Sequence, residues 1–180
     1  LIWEKRDTAV LFGDGAGAVV VQGETGEHGV LVTDLGADGA GYDLLYLPSG
    51  GSKKVIRKDN IETLELGIVM NGKELFKKAV TLFSQAARHV LEKSGFGVED
   101  VDLLIPHQAN TRIIYSVAER VGLPPEKVFV NIEKVANTVA ATIPIALDQA
   151  VQQGRICEGN LVLLVAFGAG LTWGSALLRW

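Results

Sequence analysis

Residues 161–178 carry no charged side chain, and no other stretch narrows the possible folds so far. About 18 consecutive apolar residues form the shortest run that crosses a bilayer as a helix. Here Gly168, Gly170 and Gly174 interrupt the run, and Ala166-Phe167-Gly168-Ala169-Gly170 has the make-up of a turn. Two buried strands, 161–166 and 171–178, account for it better than one spanning helix. The chain is therefore expected to end in a strand pair inside a covered sheet.

The rest of the chain supplies the cover. Residues 8–12 and 18–22 read as strands joined by a glycine segment, and 29–35 as a third strand. Residues 36–60 are rich in Gly, Ser, Asp and Lys and read as a surface excursion with a short hairpin at 43–47. A long helix is predicted over 73–93, with Phe76, Val80, Phe83, Ala87, Val90 and Leu91 on one face and Gly95 as its stop. Then follow a strand at 101–105, a helix at 110–121 stopped by Gly122, a strand at 128–130, and a helix at 137–153 stopped by Gly154. Pro144 should kink that last helix or displace its start. The 180 residues are 48% hydrophobic and 21% charged, which suits one α/β domain over residues 1–180. A net charge of -4 argues against a general nucleic-acid binder. A single cysteine excludes an internal disulfide framework and suits a reducing compartment.

Chemistry concentrates at two strand ends. His107 follows the strand at 101–105 and precedes a helix start, the edge at which ligands collect in α/β folds. Asn137 stands at the next such junction, so an imidazole and a carboxamide could be aimed at one point. Asn110 and Asn137 each suit a helix N-cap, a role that leaves the carboxamide NH₂ free to donate. Arg112 in a first helical turn is placed poorly for the helix dipole, which a phosphate partner would offset and a solvated surface site would tolerate. His28 and His89 read as surface residues, and no pair of histidines has metal-ligand spacing. Cys157 falls in a turn after a helix end, where a thiolate is disfavoured.

Two motifs imitate nucleotide sites and fail on mechanism. Gly13-Asp14-Gly15-Ala16-Gly17-Ala18, with Asp34 further on, fits a dinucleotide fingerprint. A β-branched run, Val19-Val20-Val21, follows where a helix N-terminus should hold the pyrophosphate. A tight bend between strands is the better reading. Gly67, Gly72 and Lys73 have phosphate-loop spacing, but Glu74 replaces the magnesium-binding hydroxyl.

His107-Gln108-Ala109-Asn110, Asn137-Thr138, Phe12-Gly13-Asp14-Gly15-Ala16-Gly17-Ala18 and Phe167-Gly168-Ala169-Gly170-Leu171-Thr172-Trp173-Gly174 resemble the β-ketoacyl-acyl carrier protein synthase III family of the thiolase superfamily. The resemblance runs from about Arg6 to Trp180 and covers the second half of such an enzyme. It implies half of a five-layered αβαβα fold with a mixed sheet, with the nucleophilic cysteine on an absent N-terminal half. It implies a decarboxylative condensation between an acyl-coenzyme A primer and malonyl-acyl carrier protein. The coenzyme A thioester is then a substrate, and no resident cofactor, metal, nucleic acid or membrane is involved. It implies a cytoplasmic homodimer. By this likeness His107 and Asn137 are catalytic donors, and Phe167, Gly168, Ala169 and Gly170 line the acyl site and its oxyanion hole. Arg6, Gly72, Phe76, Asn110 and Arg112 would meet coenzyme A or its pantetheine arm, with Asn110 also orienting His107. Lys77, Arg112 and Arg120 would face the acidic carrier protein. Ala136, Val139 and Ala169 depart from the family's glycine, serine and glycine, which leaves room for another acyl substrate. The competing class is a non-catalytic domain that kept the fold.

Overall fold

The charge-free run folds as two paired strands. In the computed structural model, which describes residues 3–180, the elements in chain order are α1 (Arg6–Ala9), β1 (Gly29–Ala37), β2 (Leu45–Tyr46), β3 (Val69–Met70), α2 (Gly72–Ser94), β4 (Leu103–Pro106), α3 (Thr111–Val121), α4 (Ile132–Val135), α5 (Thr142–Gln152), β5 (Leu161–Gly168) and β6 (Thr172–Arg179). β5 and β6 pair antiparallel from Leu161↔Arg179 to Gly168↔Thr172. β4 lies parallel on the other flank of β5, and β1 lies antiparallel to β6. The order β1-β6-β5-β4 makes a mixed sheet, as expected for this α/β chain.

Each face of the sheet has its own helices because successive strand residues point to opposite sides. Leu104, Leu161, Leu163, Val165 and Leu177 are buried with Val80, Phe83, Ala87 and Val90 of α2 and with Ile114 and Val117 of α3. On the opposite face Leu103, Ile105 and Val162 are buried with Ala146, Leu147 and Ala150 of α5. The three layers follow from the apolar run itself, since strands without polar alternate positions need cover on both sides. Burying a side chain of this class stabilises the fold by about 1.5–3 kcal/mol, so these two faces carry most of the favourable energy.

The long helix begins where Asn71 caps it, accepting a bond from the Glu74 amide at 3.4 Å, and it ends at Gly95 in the left-handed region. Gly122 ends α3 in the same way. Asp34 on β1 is buried beneath α2, bound to Lys93 and, at 3.1 Å, to His89 Nδ1. Those partners hold its carboxyl below the usual range. Asp34 therefore braces a helix rather than reading a ribose.

Several predicted elements differ. Residues 8–12 hold the end of α1 and a single parallel bridge from Phe12 to Asn137. Residues 18–22 form no strand, and Val20 is 97% exposed. Their β-branched side chains favour extended backbone, but a strand also needs a partner, and β1 offers none to them here. Residues 128–130 contribute one bridge, Leu104↔Val128, instead of a strand. The local hairpin at 43–47 is replaced by a 3₁₀ turn over Gly39–Leu44, after which β2 pairs with the distant β3. The last helix starts at Thr142 and not at 137, which puts Pro144 in its first turn, where a missing N–H costs little.

Candidate active site

The site grows from the end of β4. The His107 amide donates to Val165 O at 2.8 Å, extending the parallel ladder by one residue and tying the histidine to β5. Next to it Gln108 is wholly buried. Its Nε2 donates to Pro106 O at 2.9 Å and to Phe129 O at 3.1 Å, while Oε1 accepts from the Asn131 amide at 3.0 Å. One carboxamide thus staples the loop after β4 to the neighbouring segment. Asn110 caps α3, its Oδ1 accepting from the Arg112 amide at 2.9 Å as the cap reading expected. That bond uses Oδ1, and among the described residues Asn110 makes no hydrogen bond to the His107 ring.

Asn137 sits in a turn rather than at a helix cap. Its amide donates to Leu11 O at 2.8 Å, and its carbonyl accepts from the Gly13 amide at 3.0 Å. The side chain is buried, with Oδ1 accepting from the Val139 amide at 2.9 Å. An amide N–H can only donate, so this contact identifies the oxygen and leaves Nδ2 as the free donor. Ala136 at φ 60° and Val139 at φ 55° flank the asparagine. Residues with a Cβ seldom adopt this region, and for β-branched valine it is strained. The departure at Ala136 therefore falls where glycine is favoured, whereas Ala169 is not among the positive-φ residues.

The glycines of the opening motif serve this turn. A Cβ on Gly13 would lie 2.8 Å from Val135 O, one on Gly15 2.8 Å from Thr138 Cγ2, and one on Gly17 2.5 Å from Pro144 Cγ. None of the three has positive φ. They permit close approach to the Asn137 turn, and the expected tight bend between two strands is not what they make.

His107 and Asn137 line one cavity of about 930 Å³, together with Gly72, Phe76, Asn110, Phe167, Gly168 and Ala169. Its remaining walls are largely apolar, including Leu11, Phe12, Met70, Ile113 and Trp173. The His107 ring is half-buried, and desolvation lowers its pKa from 6.5 to about 4, so it is neutral at pH 7. Nδ1 of that ring lies 2.5 Å from Thr142 Oγ1. Phe167 packs its ring 5.9 Å from that of Phe83. A Cβ on Gly72 would meet nothing nearer than Met70 Cε at 3.8 Å, so the missing side chain leaves cavity space open.

The cationic residues lie outside this lining. Arg112 stacks its guanidinium 5.8 Å from the centre of the Phe76 ring, which does line the cavity. Lys77 is exposed and paired with Glu74 at 2.9 Å. Arg120 donates to Thr81 Oγ1 at 3.4 Å, and its carbonyl accepts from Arg88. Arg6 is exposed, one residue before cavity-lining Asp7. Cys157 is exposed and free, and it does not line the cavity. Reading the sequence missed Thr142 and Gln108 as parts of the site, and it marked Val139 only as a departure from the family pattern. Gln108 stood inside the quoted motif, but its role depends on two carbonyls and an amide that only the fold brings together.

The family model for 3-oxoacyl-[acyl-carrier-protein (ACP)] synthase III C terminal matches residues 91–180, and that for 3-oxoacyl-[acyl-carrier-protein (ACP)] synthase III matches residues 1–39. A β-ketoacyl-[acyl-carrier-protein] synthase III of Symbiobacterium thermophilum is 49% identical over 99% of this chain and 54% of its own length. The crystal structure of 3-oxoacyl-[acyl-carrier-protein] synthase III from Aquifex aeolicus matches with a TM-score of 0.88 at 48% identity, over 99% of this chain and 53% of that one. The priming β-ketosynthase of the R1128 polyketide pathway matches with a TM-score of 0.74 at 36% identity, over 83% of this chain and 45% of that one. The chain spans about half the length of the curated relatives it matches.

Proposed function

Because the chain belongs to the 3-oxoacyl-[acyl-carrier-protein] synthase III family, we propose that it is the C-terminal part of an acyltransferase that starts fatty acid biosynthesis. The reaction joins an acyl-coenzyme A primer, acetyl-coenzyme A in the simplest case, to malonyl-acyl carrier protein. A cysteine on the remainder of the enzyme first takes the acyl group and releases coenzyme A. The malonyl carboxylate then leaves as carbon dioxide, and its bonding electron pair forms an enolate on the thioester. The enolate carbon attacks the acyl-cysteine carbonyl and the cysteine sulfur departs. Coenzyme A enters as a substrate thioester, and no resident cofactor takes part. The working unit is a cytoplasmic homodimer.

One observation carries this reading: His107 and Asn137, from separate junctions, line one largely apolar cavity, the ring neutral and the asparagine Nδ2 uncommitted among the described residues. Two neutral donors in a low-dielectric cavity suit the negative charge that builds on the malonyl thioester oxygen. Backbone amides near Gly168, Ala169 and Gly170 serve the oxyanion of the acyl-cysteine, and Phe167 flanks its sulfur. Gly72 and Phe76 border the pantetheine path, with Asn110 beside it and Arg112 and Arg6 toward the nucleotide end. Arg112, Arg120 and Lys77 present cations to the acidic carrier.

Replacing Asn137 with alanine in the full-length enzyme should slow malonyl decarboxylation roughly 10²–10³-fold, the usual cost of one such donor, and leave cysteine acylation nearly intact. Normal decarboxylation by that variant would end the reading and favour a non-catalytic domain. A second reading, condensation from another primer, draws on Ala136, Val139 and Ala169 and on the 36% identity to a polyketide priming enzyme. A panel of acyl-coenzyme A chain lengths separates the two.

A further inference from the structure

Thr142 stands first in α5, wholly buried, with its hydroxyl against the His107 ring. The Oγ1–Nδ1 distance is 2.5 Å, and Oγ1 also lies 3.0 Å from Val139 O. A hydroxyl has one proton, so only one of these two neighbours can receive it. Val139 O already accepts the Thr142 backbone N–H, which closes the short turn before α5. Among the described residues Nδ1 has no other partner, so it either accepts this proton or donates its own to Oγ1, and the charge the ring must meet in the cavity decides between them.

We propose that Thr142 is a positioning residue whose hydroxyl donates to His107 Nδ1 and thereby holds the neutral ring with its proton on Nε2. A neutral imidazole carries one proton, so an accepting Nδ1 makes Nε2 the donor. Nε2 makes no hydrogen bond among the described residues, and the ring lines the cavity, so this N–H is available to a substrate oxygen. The proposal rests on the reading of His107 as an enolate donor and adds the group that enforces it. Were the hydroxyl turned to Val139 O, Nδ1 would have to donate to Oγ1, and Nε2 would face the cavity as a bare acceptor, repelling an enolate oxygen. The same turn fixes the other donor, since the Val139 amide holds Asn137 Oδ1 at 2.9 Å and turns Nδ2 outward. Both donors are thus oriented from residues 137–142.

The test compares the full-length enzyme with its Thr142→Val and Thr142→Ser variants, each labelled with ¹⁵N-histidine. In the parent, the His107 Nδ1 signal should be that of an unprotonated nitrogen accepting a hydrogen bond. Thr142→Val, nearly isosteric but without the hydroxyl, should shift that signal to a free acceptor and lower kcat for malonyl decarboxylation about 10-fold, with KM little changed. Thr142→Ser should restore both readouts. A protonated Nδ1 in the parent, a Thr142→Val enzyme that matches the parent in either readout, or failure of serine to restore them would overturn the proposal. Failure of the underlying reading shows elsewhere, as normal decarboxylation by Asn137→Ala, while the His107 signals still report on Thr142.

Discussion

At the scale of single residues, the site depends on groups kept in unusual states. His107 is the clearest, because burial keeps its ring neutral down to a pKa of about 4 while an unfolded histidine titrates near 6.5. Between those values the unfolded chain binds a proton that the folded chain does not. Stability from this source is therefore complete above pH 6.5 and declines as pH falls toward 4. Urea unfolding at pH 7 and pH 5 should show His107→Gln losing less stability than the parent, by about 1–2 kcal/mol. Equal losses would mean that the folded ring protonates normally. The position of His107 was legible, because a strand end followed by a helix signal marks a junction. The strand and helix start assumed on either side of Asn137 are instead a single bridge and a turn. Thr142 was not legible, and Val139 stood out only as a departure from the family pattern. Nothing in Asn137-Thr138-Val139-Ala140-Ala141-Thr142 announces a valine at φ 55° or a hydroxyl turned back onto a ring. Such contacts arise from turn geometry, to which periodicity is blind.

At the scale of elements, prediction followed the strength of the pattern. α2, α3 and the β5–β6 pair were readable because each buries a continuous face and the helices end at glycine. The weaker stretches misled for a shared reason: residues 8–12, 18–22 and 128–130 have strand composition but lack a full partner. β-branched side chains set backbone shape, whereas pairing depends on the rest of the fold. The junction between β4 and the following segment is held instead by Gln108, whose amide serves Pro106 O, Phe129 O and the Asn131 amide. Gln108→Leu keeps the volume but strands three buried backbone groups at ~1–3 kcal/mol each. A loss of about 3 kcal/mol is expected by denaturant titration, with decarboxylation slowed because His107 lies next in the chain. A loss below ~1 kcal/mol would show that water replaces the amide.

For the whole molecule, the open question is what meets its apolar surface. Val19, Val20 and Val21 are 62%, 97% and 79% exposed, and Leu35 on the edge strand β1 is 82% exposed. An exposed apolar run and, separately, an unpaired sheet edge each invite association. The chain also spans about half the length of its curated relatives, and on the proposed reading the nucleophile belongs to the other half. Two consequences follow for the chain by itself. Sedimentation velocity should show concentration-dependent association that weakens when the complementary half is added. Incubation with acetyl-coenzyme A should give no covalent adduct, because Cys157 lies in an exposed turn beyond α5, away from His107 and the cavity walls. Intact-mass spectrometry under native conditions tests this directly. An acetyl group on Cys157 would relocate the chemistry to the far end of α5, and the assignment of His107 and Asn137 would fall with it. On the proposed reading, turnover should return only when the complementary half is added, with Cys157 still unmodified.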